Sequence, residues 1–162
     1  MGRGARRNLQ GTGWVIAVDT NLLVYAHRAD SPFHQAALNC VASLAEGTAL
    51  WSIAWPCVHE FLAIVTHPRI YVPPTPLSRA LEQIEAWLES PSLRLLGETE
   101  LHWSVLRPLL SEAHIVGPQV HDARIAALCR QHGVQQLWSA DRDFGRFPQL
   151  SVINPLIGSG TL

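Results

Sequence analysis

The sequence contains no lysine, only three cysteines and one methionine, and just 15% of its 162 residues are charged. Nearly half are hydrophobic, at 48%, which excludes a disordered tail or a coiled coil, since both need a more polar composition. All twelve basic residues are Arg, and a chain-wide absence of Lys reflects coding bias more than function. The cysteines, Cys40, Cys57 and Cys129, are odd in number and far apart, with no CxxC pair. That argues against a structural zinc site and fits buried thiols in a reducing, cytoplasmic compartment. After the basic start MGRGARRNLQGTG, the apolar stretch runs only from Trp14 to Val18 before Asp19 interrupts it. This is too short for a signal-peptide core, and no run reaches the roughly 20 apolar residues of a membrane span. A formal net charge of −1 excludes a protein that coats nucleic acid through a broad basic surface. It leaves room for a hydrolase with a basic rim around an acidic site.

What is present is the alternation of a wound sheet. Residues 1–13, rich in Gly and Arg, read as a flexible extension, 14–157 as one domain and 158–162 as a short tail. WVIAV is continuously apolar, as a strand buried on both faces should be, and ALWSI, SLRLLG, QQLWS and SVIN follow as further strands. Between them the pattern predicts helices over 21–27, 33–46, 56–66, 77–88, 100–110 and 118–130, the last closed by Gly133 in a left-handed cap. The order implies a three-layer α/β/α sandwich with a mainly parallel sheet of about five strands. Trp51, Trp55 and Trp138 lie in or beside strands and are assigned to the core, with Trp87 and Trp103 expected at the surface.

In such a sheet, ligands bind beyond the carboxyl ends of the strands, where strand order reverses. Asp19 ends the first strand and Asp141 lies just beyond the fourth, so the two meet if those strands are neighbours. Asp122 falls in the first turn of a helix, where the dipole alone favours an acid by roughly 0.3 to 1 kcal/mol. Glu60 sits off the apolar stripe of Val58, Phe61, Leu62 and Val65, as a solvated surface Glu would. Taken singly, these two have ordinary structural explanations. Together, the four carboxylates would raise one another's pKa unless a cation compensates, and an oxygen-only set favours Mg²⁺ or Mn²⁺ over zinc.

The segments AVDTNLLVYA, HEFLAIVTHPR and HDARIAALCRQHGVQQLWSADRDF resemble the opening, central and closing motifs of PIN domains, over Trp14 to about Pro155. The chain length and the HDARIAAL and SADRDF segments are most similar to VapC-type ribonuclease toxins of bacterial toxin–antitoxin pairs. The resemblance implies a metal-dependent endoribonuclease that hydrolyses RNA with metal-activated water. It makes Asp19, Glu60, Asp122 and Asp141 the catalytic, metal-binding set, with Asn21 and Ser139 as polar neighbours that orient them. Asp143 stays open as a supporting or substitute fourth ligand. A small antitoxin partner and a homodimer are implied as well.

Neighbouring positions on a helix do not share a face, so His59 and His121 should point away from the acids beside them. Among the arginines, Arg142 and Arg146 are the best placed to contact RNA phosphates, ahead of Arg28, Arg69 and Arg124. Two other functions fit less well. A haloacid dehalogenase-type phosphatase needs a second Asp two residues after the first, where this chain has Asn21. A noncatalytic PIN-like module that only binds RNA or protein would be marked by lost carboxylates, and none of the four is missing.

Overall fold

The computed structural model describes residues 15–157. The expected extension over 1–13, the expected tail over 158–162 and Trp14 lie outside the described residues. Among the described residues, five parallel strands, β1 (Ile16–Val18), β2 (Trp51–Ala54), β3 (Leu93–Leu96), β4 (Gln136–Trp138) and β5 (Ser151–Ile153), form one sheet in the order β3-β2-β1-β4-β5. Six helices connect them: α1 (Thr20–His27), α2 (His34–Glu46), α3 (Trp55–Val65), α4 (Leu77–Leu88), α5 (His102–Glu112) and α6 (Gln119–Gln131).

The chain runs outward from β1 through β2 to β3, then returns to the other side of β1 for β4 and β5. Right-handed crossovers therefore put α1 to α4 on one face of the sheet and α5 with α6 on the other. Contacts follow this division, with α1 packed on α2 and α3, α3 on α4, and α5 on α6. The result is the expected α/β/α sandwich. β1 is central and pairs with β4 along Ile16 to Val18, so strand order reverses between them. Burial on both faces explains the continuous apolar strands: Ala17, Val18, Trp51, Ile53, Ala54 and Leu137 are all buried. Among the described residues, no helix is long and apolar enough to cross a membrane.

Local signals place most helix ends. Asp19 caps α1 through its side chain. Gly133, at φ +68°, turns the chain after α6 in the left-handed conformation that a side chain would strain. α5 starts later than its apolar period suggests, because the Thr99 hydroxyl accepts a hydrogen bond from the Leu101 amide and holds the preceding residues in a turn.

Two tryptophan assignments are corrected. Trp51 is fully buried, but Trp55 is 40% exposed at the start of α3, just after the last residue of β2. Trp87 is buried and meets Phe61 edge-on at 4.9 Å between ring centroids, because α4 packs that side onto α3. Trp103 is exposed as expected, and Trp138 is half-buried. All three cysteines are free, with Cys57 and Cys129 buried.

A candidate acidic site at the carboxyl edge of the sheet

The backbone N–H of Asp19 donates to Trp138 O at 2.9 Å, extending the β1–β4 ladder by one residue and fixing Asp19 at the reversal of strand order. Its side chain is buried and accepts from four donors. Oδ1 accepts from the Thr20 amide at 2.8 Å and, more weakly, from Cys57 Sγ at 3.7 Å. Oδ2 accepts from Ser139 Oγ at 2.7 Å and Asn21 Nδ2 at 3.3 Å. Burial pushes the carboxyl up to about 6; the bonds from Ser139 and Thr20 oppose this, while Glu60 and Asp122 push it further.

Asn21 and Ser139 tie the first strand's end to the fourth. The Asn21 amide also donates to Ser139 Oγ at 3.2 Å, and its carbonyl accepts from the Ala140 N–H at 3.1 Å. Ser139 Oγ accepts in turn from the Asp141 N–H at 3.0 Å. Asp141 and Asp19 are thus linked through one hydroxyl. With its amide so engaged beside Asp19, Asn21 is fixed in place and supplies no acid of the phosphatase kind.

The other acids converge from three elements. α6 runs back toward the start of β4, so its first turn lies at the carboxyl edge and carries Asp122 there. Desolvation raises the Asp122 pKa, as do Asp141, Asp143 and Glu60, while Arg146 lowers it. Asp141 caps a short 3₁₀ helix, Arg142–Arg146, by accepting from the Asp143 N–H at 2.8 Å. Carboxylate oxygens of Asp122, Asp141 and Asp143 all lie within 4.8 Å of one another. Glu60, exposed on α3, is held by Thr20 Oγ1, which donates to its Oε2 at 2.9 Å.

Asp19, Glu60, Asp122 and Asp141 line one cavity of about 590 Å³ together with Asn21, Pro56 and Arg124. The structure therefore brings the four acids of the sequence motif to one place and sets Asp143 beside two of them. Arg142 and Arg146 are exposed on the 3₁₀ helix and do not line this cavity, whereas Arg124 does. Sequence reasoning missed Thr20 and Cys57. Adjacency to Asp19 in AVDTN could have drawn attention to Thr20, but no sequence signal points to Cys57.

The donor set fits a hard divalent cation. Its clustered groups are carboxylate oxygens; His59 on α3 packs against Trp55 with ring centroids 6.2 Å apart, while His121, expected to point away, lines the cavity beside Asp122. A carboxyl raised by burial and, less, by like charges is the condition a cation relieves.

The same burial gives a pH-dependent stability. A folded-state pKa above the unfolded 3.8 means that ionised Asp19 weakens the metal-free fold. The penalty is present above about pH 6 and relieved as pH falls toward 3.8. At 1.36 kcal/mol per pH unit it amounts to about 3 kcal/mol. His27, lowered by burial, acts in the opposite sense, because its protonation at falling pH destabilises the fold. The difference in urea stability between the parent and Asp19→Asn cancels that contribution. Without metal, this difference should favour the variant by about 2 kcal/mol more at pH 7.5 than at pH 4.5. A flat difference would show that Asp19 is not strained by burial.

Comparison with known proteins agrees with the architecture. The PIN domain family model matches residues 16–150. Ribonuclease VapC48 of Mycobacterium tuberculosis is 35% identical over 140 residues, covering 86% of this chain and 97% of that protein. Ribonuclease VapC43 of the same organism is 33% identical over 144 residues, covering 89% and 97%. Among solved structures, VapBC2 of Rickettsia felis, bound to a DNA fragment from its promoter, contains a chain with the same fold. It has a TM-score of 0.60 at 18% identity, covering 86% of this chain and 97% of that one. By its family match, its relatives and its fold, this chain belongs to the PIN-domain family.

Proposed function

We propose that the protein is a metal-dependent endoribonuclease and the toxin of a toxin–antitoxin pair. The observation that carries this reading is the buried Asp19, held by four donors in a cavity it shares with Glu60, Asp122 and Asp141. Relatives of similar length are named ribonucleases, which points to RNA as the substrate. Similar folds occur in VapBC complexes, which points to a small antitoxin as the cognate partner. Exposed Leu77, Leu81 and Leu88 on α4, with Ile70 and Val72 before it, offer an apolar surface for a homodimer.

In this reading Asp19, Glu60, Asp122 and Asp141 hold one or two Mg²⁺ or Mn²⁺ ions, with Asp143 as a supporting ligand. Bound there, a divalent cation supplies an acidified water and positive charge against the phosphodiester. Asn21 and Ser139 hold the Asp19 carboxylate in one orientation, so the site is organised before substrate arrives. Thr20 does the same for Glu60 from the opposite wall. Arg124 at the cavity and Arg142 and Arg146 outside it offer guanidinium groups to flanking phosphates. The free, buried thiols are compatible with action in the cytoplasm.

The test is cleavage of a panel of structured RNAs and DNAs in Mg²⁺, Mn²⁺ or EDTA, with cut sites mapped. RNA cleavage that EDTA stops and added metal restores is expected. EDTA-resistant cleavage would reject the metal mechanism, and DNA-only cleavage would reject the substrate.

A further inference from the structure

The acids follow the carboxyl edge of the sheet from Asp141 and Asp143 beyond β4, past Asp19 on β1, to Glu60 on the helix leaving β2. Trp55 and His59 stand beside the far end of this line. On α3, Pro56, Glu60 and Ile64 repeat every four residues along the cavity wall, and Trp55 and His59 form the adjacent stripe. The two rings pack together, with centroids 6.2 Å apart and planes 34° from parallel. At 40% exposure, part of the indole is open to a ligand. Trp103 is more exposed, at 62%, but among the described residues it has no ring partner and does not adjoin a residue of the cavity.

The wall next to this pair carries an ion pair. Trp55 packs against Gly97, where a Cβ would lie 3.6 Å from indole Cδ1, so the turn after β3 approaches the ring closely. The next residue, Glu98, pairs with Arg124 at 2.5 Å, and Arg124 lines the acidic cavity. Trp55 thus lies against the turn whose next residue holds Arg124, a guanidinium of the cavity wall. Phosphate and base of a single nucleotide require that combination, because the base has an apolar face and the backbone a negative charge.

We propose that Trp55, backed by His59, stacks an unpaired base of the RNA next to the scissile phosphate, with Arg124 exchanging Glu98 for the neighbouring phosphate. This rests on the ribonuclease reading above and adds the residue that grips the substrate beside the cut. A duplex keeps its bases stacked on one another and has no free face to offer Trp55.

The test measures binding in the Asp19→Asn background, so that RNA stays intact, by anisotropy of a labelled single-stranded RNA cut by the parent protein. Trp55→Ala should weaken binding by about 5- to 150-fold, and Trp55→Phe should retain most of the affinity because a ring remains. Abasic substitutions are then scanned through the RNA. At one position flanking the cut, the abasic RNA should bind equally to the proteins with and without the Trp55→Ala change, since the stacking partner is gone. Unchanged affinity in Trp55→Ala, absence of binding by the protein that keeps Trp55, or an equal loss at every abasic position would overturn the proposal. If the parent cuts no RNA, an RNA bound by the protein in the same panel serves as probe. Trp55-dependent, position-specific binding to it would uphold the platform while the nuclease reading fails.

Discussion

Asp19→Asn is expected to reduce RNA cleavage by about 10³-fold or more while leaving the protein folded. The substitution keeps the shape of the side chain and one acceptor oxygen, so the N-terminal cap on α1 survives through the Thr20 amide. It removes the negative charge at the buried acid of the cavity. It also puts an amide N–H where Oδ1 or Oδ2 now accepts, and each of the four groups bonded to the Asp19 carboxylate is a donor toward it. Loss of a charge that organises metal and water is worth several kcal/mol of transition-state stabilisation, and each 1.36 kcal/mol is a factor of ten. A second readout separates this from misfolding. Added Mg²⁺ should raise the melting temperature of the parent, by relieving repulsion among the acids, and raise that of the variant much less. Retained cleavage in purified Asp19→Asn, or an equal Mg²⁺ response, would remove Asp19 from the site.

The parts of this site legible in sequence are those fixed by local chain chemistry. A continuously apolar run that stops at Asp19 marks a strand end. The meeting of Asp19 and Asp141 was legible only on the condition that the first and fourth strands are neighbours, and the pairing of β1 with β4 meets it. Asp122 was legible because Pro118 precedes a helical period, which puts the residue in the first turn. Less legible were features decided by packing across the chain. Glu60 looked like a solvated residue on its own helix and is exposed; what marks it is a bond from Thr20, forty residues earlier. The two tryptophans were misjudged for the same reason. Trp87 lies on an amphipathic helix whose buried side depends on Phe61, and Trp55 follows a buried strand but falls just where the sheet ends. Arg124 looked no different from other arginines, since its position on the cavity wall depends on α6 crossing beside β2 and on Glu98.

The string Asp141-Arg142-Asp143 left the fourth acid undecided, and the structure gives the two residues different surroundings. Asp141 lines the cavity, shares the Ser139 hydroxyl with Asp19 and is partly buried. Asp143 is exposed and does not line it, although its carboxylate comes near those of Asp122 and Asp141. Asp141→Asn should therefore cost about 10² to 10³-fold in kcat, while Asp143→Asn should cost about 10-fold, at the low end of what loss of a group supporting metal ligands costs. Neither change should unfold the 3₁₀ helix. In Asp141→Asn the new side-chain carbonyl can still accept from the Asp143 N–H, and that bond uses only the backbone of residue 143. Steady-state kinetics over a range of Mg²⁺ concentrations gives the comparison. If Asp143 can replace Asp141, Asp141→Asn alone will be mild and the double variant far worse than the two single losses multiplied. A larger loss from Asp143→Asn than from Asp141→Asn would reverse the assignment and put the metal nearer the solvent side of the 3₁₀ helix.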